Sequence, residues 1–199
     1  MWTTVLLVVA GFSALAASQA PCESPGQWDA HFSMFDPAQG HEFYVNGDYH
    51  YDKTGMRKAR FERVNEGVNS TYRFVEVIDL YQEKKSYRID VRTRECRVET
   101  IDYDFHAHDV PTGGRFRGLY YLGSSAEEEG SIELSAWDFN WVTRGYFWDG
   151  SFTTHGCIPY HSNAFNGSTF GARFESFWDV TPGLRDPNVF IPPPQCFQN

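Results

Sequence analysis

The stretch YRFVEVIDLYQEKKSYRIDVRTRECRVETIDY, residues Tyr72–Tyr103, decides the fold. It contains no Gly and no Pro. Three runs, Tyr72–Tyr81, Ser86–Val91 and Cys96–Tyr103, are rich in β-branched and aromatic residues, and the charged turns Gln82–Lys85 and Arg92–Glu95 separate them. Such residues fit a pleated, half-buried surface. In the second run Tyr87, Ile89 and Val91 share one face while Arg88 and Asp90 share the other. That period of two predicts a strand with one wet side. The first run is apolar both ways: Phe74, Ile78 and Leu80 on one face, Val75, Val77 and Tyr81 on the other. A strand apolar on both faces is covered on both faces. The stretch therefore predicts an antiparallel meander covered by chain from before and after it.

Further strand-like runs lie on either side. Trp28–Phe35, Glu42–Tyr51 and Met56–Val64 precede the meander, and the charges of the last predict an exposed face or a sheet edge. Phe116–Leu122, Ile132–Phe139, Phe152–Cys157 and Phe170–Val180 follow. The last alternates most clearly, with Phe174 and Trp178 on the apolar side and Arg173 and Glu175 on the other. About ten strands at hairpin spacing predict an all-β fold, either two stacked antiparallel sheets or a part-closed barrel. Thr181–Phe190 has room for one short C-terminal helical turn, and Ile191–Pro194 stiffens the tail.

Residues 1–20 differ from the rest. MWTTVLLVVAGFSALAASQA has an apolar run from Val5 to Leu15, then small residues, and no charged side chain. It reads as a secretory signal peptide, leaving residues 21–199 as one β domain. It is short for a membrane span, and no later segment approaches that length. The expected location is extracellular, with the lysosomal lumen as the alternative destination. The formal net charge of −9 disfavours nucleic acid as a partner. Cys22, Cys96, Cys157 and Cys196 are far apart, with no CxxC spacing. In an exported chain they predict two disulfides, with the pairing open. The sequons at Asn69 and Asn166 predict glycosylation.

Several spaced motifs resemble the ependymins and ependymin-related proteins. They are PCESPGQW (Pro21–Trp28), the position of Cys96, FHAHDVP (Phe105–Pro111), GCIPY (Gly156–Tyr160) and RDPNVFIPPPQC (Arg185–Cys196). The last is the most specific. The resemblance implies two curved, stacked antiparallel sheets forming a half-open barrel around a hydrophobic pocket, similar to bacterial lipoprotein carriers. It implies the pairings Cys22–Cys157 and Cys96–Cys196, a homodimer, calcium binding and a link to cell–matrix adhesion.

No GxSxG, HExxH or P-loop pattern occurs in the sequence, so the chain is not expected to be an enzyme. Asp102, Asp104 and Asp109 are the candidate calcium ligands, because hard oxygen donors suit that ion. His106 and His108, close by, suit zinc or copper better. The candidate pocket residues are Phe74, Ile78, Tyr87, Ile89, Trp137, Trp148, Phe174 and Trp178. The expected function is a secreted, disulfide-bonded glycoprotein that binds a lipid-like molecule and calcium. The alternative is a matrix, adhesion or signalling factor acting through its acidic, glycosylated surface.

Overall fold

The computed structural model describes residues 19–37, 44–65, 72–124, 130–141, 145–166 and 171–198. Most of the leader and Asn69 lie outside these residues, as does the side chain of Asn166. Among the described residues, eleven strands form one antiparallel sheet that does not close on itself. They are β1 (Gln27–Phe35), β2 (Tyr44–Asp52), β3 (Arg57–Asn65), β4 (Arg73–Leu80), β5 (Lys85–Asp90), β6 (Cys96–Thr100), β7 (Arg115–Leu122), β8 (Ile132–Trp141), β9 (Tyr146–Thr153), β10 (Pro159–Asn166) and β11 (Gly171–Pro182). The short 3-10 turns Pro187–Phe190 and Pro194–Phe197 complete the chain.

The strand order is β6-β5-β4-β3-β2-β1-β11-β10-β9-β8-β7. Two meanders, β1 to β6 and β7 to β11, therefore meet where β1 pairs with β11. The sheet curls so that residues of both meanders line one interior space. The two expected layers are thus two halves of one sheet, and the half-open barrel is the form they take. β6 and β7 are neighbours in sequence but lie at opposite ends of the sheet. Residues 101–114 run from one end to the other.

The observed strands follow the expected runs, with two differences. Phe152–Cys157 was expected as a strand, but β9 ends at Thr153 and the chain turns before β10 begins at Pro159. β10, PYHSNAFN, is polar and weak in strand formers, so its pairing with β9 and β11 defines it rather than its composition. The first residue of a strand tolerates proline. The second difference is β3. It lies inside the sheet between β2 and β4 rather than at an edge. Its charged residues Lys58, Arg60 and Glu62 turn to the interior, where they meet partners.

The interior core is aromatic. Trp28, Phe32, Tyr49, Tyr51 and Phe177 are fully buried, with Val45, Val64 and Val77 beside them. Gly47 is required here, because a Cβ at that position would collide with the Phe61 carbonyl oxygen of β3. The outer face of β3–β5 has its own cluster, Ala59, Ile78, Tyr87 and Ile89, covered by Phe190 and the C-terminal tail. The guanidinium of Arg57 sits 4.3 Å above the Phe190 ring. This tail is the covering layer that the two-faced Tyr72–Tyr81 run required.

Both implied disulfides form. Cys22–Cys157 has a Cα separation of 6.0 Å and Cys96–Cys196 one of 5.1 Å. The first ties the N-terminal segment to the β9–β10 turn, and the second holds the tail on the outer face beside β6.

Candidate functional site

A cavity of about 550 Å³ lies inside the curl. β3, β4 and β5 give one wall, with Lys58, Arg60, Glu62, Asp79, Ser86 and Arg88. Tyr146 and Trp148 of β9, Ser162 and Ala164 of β10, and Arg173 and Glu175 of β11 give the facing wall. Residues 101–112 roof it.

The roof is strapped down at both ends. Near β6 the Ile101 amide donates to the Lys84 carbonyl at 2.9 Å. Phe105 packs on Tyr81 with ring centroids 5.1 Å apart. Near β7 the Val110 amide donates to the Cys22 carbonyl at 3.2 Å. Asp109 accepts from Lys53 Nζ at 2.6 Å and from the amide and hydroxyl of Ser24 at 2.8 and 3.1 Å. Between these anchors His108 is buried, with Nε2 2.7 Å from the Tyr49 hydroxyl. Burial, then the nearby Lys58, Arg173 and Arg60 charges, hold its imidazole well below the usual range. Burial, then Lys58, lowers His106 as well.

The charged wall is an internal network. Arg60 contacts Asp79 Oδ2 at 3.0 Å through Nη2. Its Nε lies 3.3 Å from Glu62 Oε1 but off the line a hydrogen bond needs. Glu62 also faces Arg88 at 3.8 Å, and the Ser86 hydroxyl donates to Asp79 at 2.6 Å. Burial opposes the Arg60 charge, but Asp79 and Glu62 outweigh it and hold the guanidinium protonated. Each carboxylate thus has a cation or a hydroxyl to compensate its desolvation.

Lys58 is placed differently. Its ammonium donates to the His106 carbonyl at 3.1 Å and lies 5.2 Å from the Phe105 ring centroid and 5.8 Å from that of Tyr81. Burial pushes it down to about 8, against a pull upward from Glu175. The folded ammonium gives up its proton near 8 and the unfolded one near 10.5, so this group alone favours the folded chain increasingly across that interval. The tyrosines act in the other direction. Burial raises the phenols of Tyr49, Tyr51 and Tyr81 above their ordinary 10.0. Folded phenols keep protons that unfolded ones lose, so their contribution is complete below pH 10 and disappears as pH climbs further. The thermal midpoint is therefore expected to fall above that pH, and less steeply in Tyr81→Phe; scanning calorimetry across alkaline buffers checks this.

Of the eight expected pocket residues, Trp148 lines the cavity, with Nε1 donating to the Ser162 hydroxyl at 2.9 Å. Trp137 is buried in the adjoining cluster and donates to the Ser135 hydroxyl at 3.0 Å. Ile78, Tyr87 and Ile89 lie under the C-terminal tail on the outer face. Phe74, Phe174 and Trp178 are exposed on that same outer face. On β3–β5 the cavity-lining residues include the charged Lys58, Arg60, Glu62, Asp79 and Arg88, so Phe74, Ile78, Tyr87 and Ile89 fall on the outside. On β11 the inner residues are Arg173, Glu175 and Phe177, the opposite parity to the apolar run. Lys58, Arg60, Glu62 and Arg88 escaped sequence reading. Their signal was charged residues spaced two apart, Lys58, Arg60 and Glu62 on one strand and Arg88 and Asp90 on another, which also describes a wet surface.

Asp102 and Asp104 are exposed on the roof, the latter 3.3 Å from Lys84 Nζ. Asp109 is occupied by Lys53 and Ser24. Among the described residues no three His, Cys, Asp or Glu side chains converge as a metal site. The set as placed does not fit an enclosed calcium ion. Among the described residues, too, no helix is long and apolar enough to cross a membrane.

Comparison with known proteins places the chain. The Ependymin family model matches residues 69–196. The chain belongs to the ependymin family. The mammalian ependymin-related protein 1 of Mus musculus is 26% identical over 197 residues, covering 98% of this chain and 84% of that protein. Ependymin of Notemigonus crysoleucas is 26% identical, covering 97% and 90%, and ependymin of Esox lucius 28% identical, covering 92% and 81%. Two solved structures overlap distantly with this ependymin-family chain. One is an uncharacterized conserved protein from Thermus thermophilus, with 8% identity, TM-score 0.48 and coverage of 86% and 87%. The other is a putative outer membrane lipoprotein-sorting protein domain from Vibrio parahaemolyticus, with 8% identity, TM-score 0.34 and coverage of 82% and 89%.

Proposed function

We propose that this ependymin-family chain is a secreted, non-enzymatic glycoprotein that encloses a lipid-like molecule in the cavity under residues 101–112. The observation that carries the reading is the cavity itself: about 550 Å³, walled by both halves of the sheet and roofed by a segment tied at both ends. That volume falls in the range of small-molecule sites. Aromatic and aliphatic groups, among them Met34, Tyr81, Phe105, Tyr146 and Trp148, share the lining with the charged network. The mixture favours an amphipath over a pure hydrocarbon. Ala164 lines the facing wall, and Ala164→Phe is expected to weaken a fluorescent fatty-acid probe by about tenfold or more while the fold is kept. Native mass spectrometry of protein from its own source gives the direct test. Absence of any co-purifying lipid, together with no probe binding, would count against the carrier.

A homodimer belongs to the same proposal, and the outer face supports it. Phe147 pairs with Phe165, Phe174 with Phe35, and Phe35 with Tyr44, across five neighbouring strands. Phe165, Phe174 and Trp178 are each more than 40% exposed, at 44%, 44% and 43%. Glutamate at both 174 and 178 is expected to give monomers by sedimentation with the thermal midpoint almost unchanged. A dimer insensitive to both changes would remove this part. Glycosylation at Asn69 and Asn166 is also proposed. Calcium is proposed only as a loosely held surface ligand of Asp102 and Asp104.

The second reading is a matrix, adhesion or signalling factor, supported by the net charge of −9. Collagen or cell binding that survives Ala164→Phe would favour it.

A further inference from the structure

The cavity wall carries four Lys or Arg side chains: Lys58, Arg60, Arg88 and Arg173. Three have carboxylates beside them. Arg60 has Asp79 and Glu62, Arg88 has Glu62, and Arg173 has Glu175 at 3.8 Å. Among the described residues, Lys58 alone of the four has no carboxylate within ion-pair reach. Its contacts are one carbonyl and two ring faces. An ammonium has three donors, and the His106 carbonyl uses one of them. All three contacting residues, His106, Phe105 and Tyr81, themselves line the cavity. A cation half-buried among aromatic groups, its neighbours' charges already matched, is suited to an anion brought from outside.

Glu175 and Asp79 act on Lys58 from beyond ion-pair distance, burial outweighs their pull, and both have nearer partners. Asp79 is engaged by Arg60 and Ser86, and Glu175 faces Arg173. His106 and His108 above it are lowered by burial and by the Lys58 charge itself, so they are neutral at physiological pH. They carry no charge to set against the ammonium or to hold an anion in its place.

Resting on the carrier reading above, we infer that Lys58 is the head-group site of the cavity. It takes the anionic head of a small amphipath, a carboxylate or a phosphate, whose apolar chain lies along Tyr81, Phe105, Tyr146 and Trp148. The chemistry is a charge-assisted hydrogen bond in a partly desolvated place, the strong kind. Burial that lowers Lys58 toward neutrality is reversed when the anion arrives, so binding also takes up protons as pH approaches 8.

The test is calorimetric titration of the whole secreted chain with laurate, dodecyl phosphate, dodecanol and dodecylamine at neutral pH. The expected order is either anion first, then the alcohol, then the amine, and the tighter anion names the source of the head. Lys58→Gln is expected to weaken the anions by about tenfold and leave dodecanol unchanged, with Lys58→Arg restoring the anions. Equal binding of laurate and dodecanol, both indifferent to Lys58→Gln, would overturn the head-group assignment and leave the carrier standing. Failure of every probe would overturn the carrier and this inference with it. Tighter binding of dodecylamine would assign the site to the acidic network instead. Should Lys58→Gln not fold, the pH profile decides. Laurate affinity falling from neutral to alkaline buffer in the native chain, but flat in Lys58→Arg, supports the assignment; parallel profiles overturn it.

Discussion

Trp28→Ala is expected to cost about 3–5 kcal/mol of stability, read by urea denaturation followed through far-ultraviolet dichroism. Trp28 is fully buried where β1, β2, β11 and the roof converge. Its ring lies 5.3 Å from Tyr49, 5.0 Å from Tyr51, 5.5 Å from His108 and 5.3 Å from Phe177. Tyr49 and Tyr51 are fixed in the β2 ladders and Phe177 in that of β11, so they cannot close over the gap. Stacked and edge-on aromatic pairs each contribute roughly 0.5–1.5 kcal/mol beyond burial. No hydrogen bond adds to this, because Trp28 Nε1 has no acceptor among the described residues. Trp28→Phe keeps most of the packing and removes that unsatisfied donor, so it is expected to be much the milder change. A loss below about 1 kcal/mol for Trp28→Ala would mean that the sheet relaxes far more than its pairing allows.

Arg60→Met is expected to be as severe, about 3–5 kcal/mol at neutral pH, for an electrostatic reason. The Arg60 side chain is 11% exposed, and those of Glu62 and Asp79 are 2% and 6% exposed. Methionine fills similar space but leaves two buried carboxylates facing only Ser86 and the distant Arg88. Protonation relieves an unpaired buried carboxylate, so the deficit of the variant is expected to narrow in acidic buffer. A deficit independent of pH would show that lost packing, not lost charge pairing, is responsible. Replacing Arg60, Glu62 and Asp79 together by apolar residues is expected to recover much of the stability, since it removes the enclosed charges and leaves only the partly exposed Arg88, which solvent reaches.

The architecture was legible in the sequence because strand formers and turn residues report directly on local backbone. The Tyr72–Tyr103 meander, the strand of Phe170–Val180 and the final helical turn all stand where the pattern put them, within a few residues. Cys22–Cys157 and Cys96–Cys196 came from family resemblance, since spacing alone leaves the pairing open. Which face of each strand turns inward was not legible. Alternation separates two sets of side chains without saying which is inside, and hydrophobicity is the usual guide. Here that guide fails twice. Arg60, Glu62, Asp79 and Arg88 satisfy one another inside, so charge is tolerated there. Ile78, Tyr87 and Ile89 find cover outside, because the tail is stapled over them by Cys96–Cys196. Both devices are long-range, and no window of sequence reveals them. The role of the roof follows only from the strand order.

That strand order also bears on how the chain assembles. Within each meander every described pairing joins consecutive strands, whereas the seam between β1 and β11 joins the two ends of the domain. Hairpin registers form at small entropic cost, and the seam must wait for a long loop to close. The Cys22–Cys157 bond, spanning 135 positions, shortens that search once it has formed. Pulse-labelled hydrogen exchange is therefore expected to protect β2, β3 and β4 before the β11 amides that face β1, with a wider interval between the two when the chain refolds under reducing conditions.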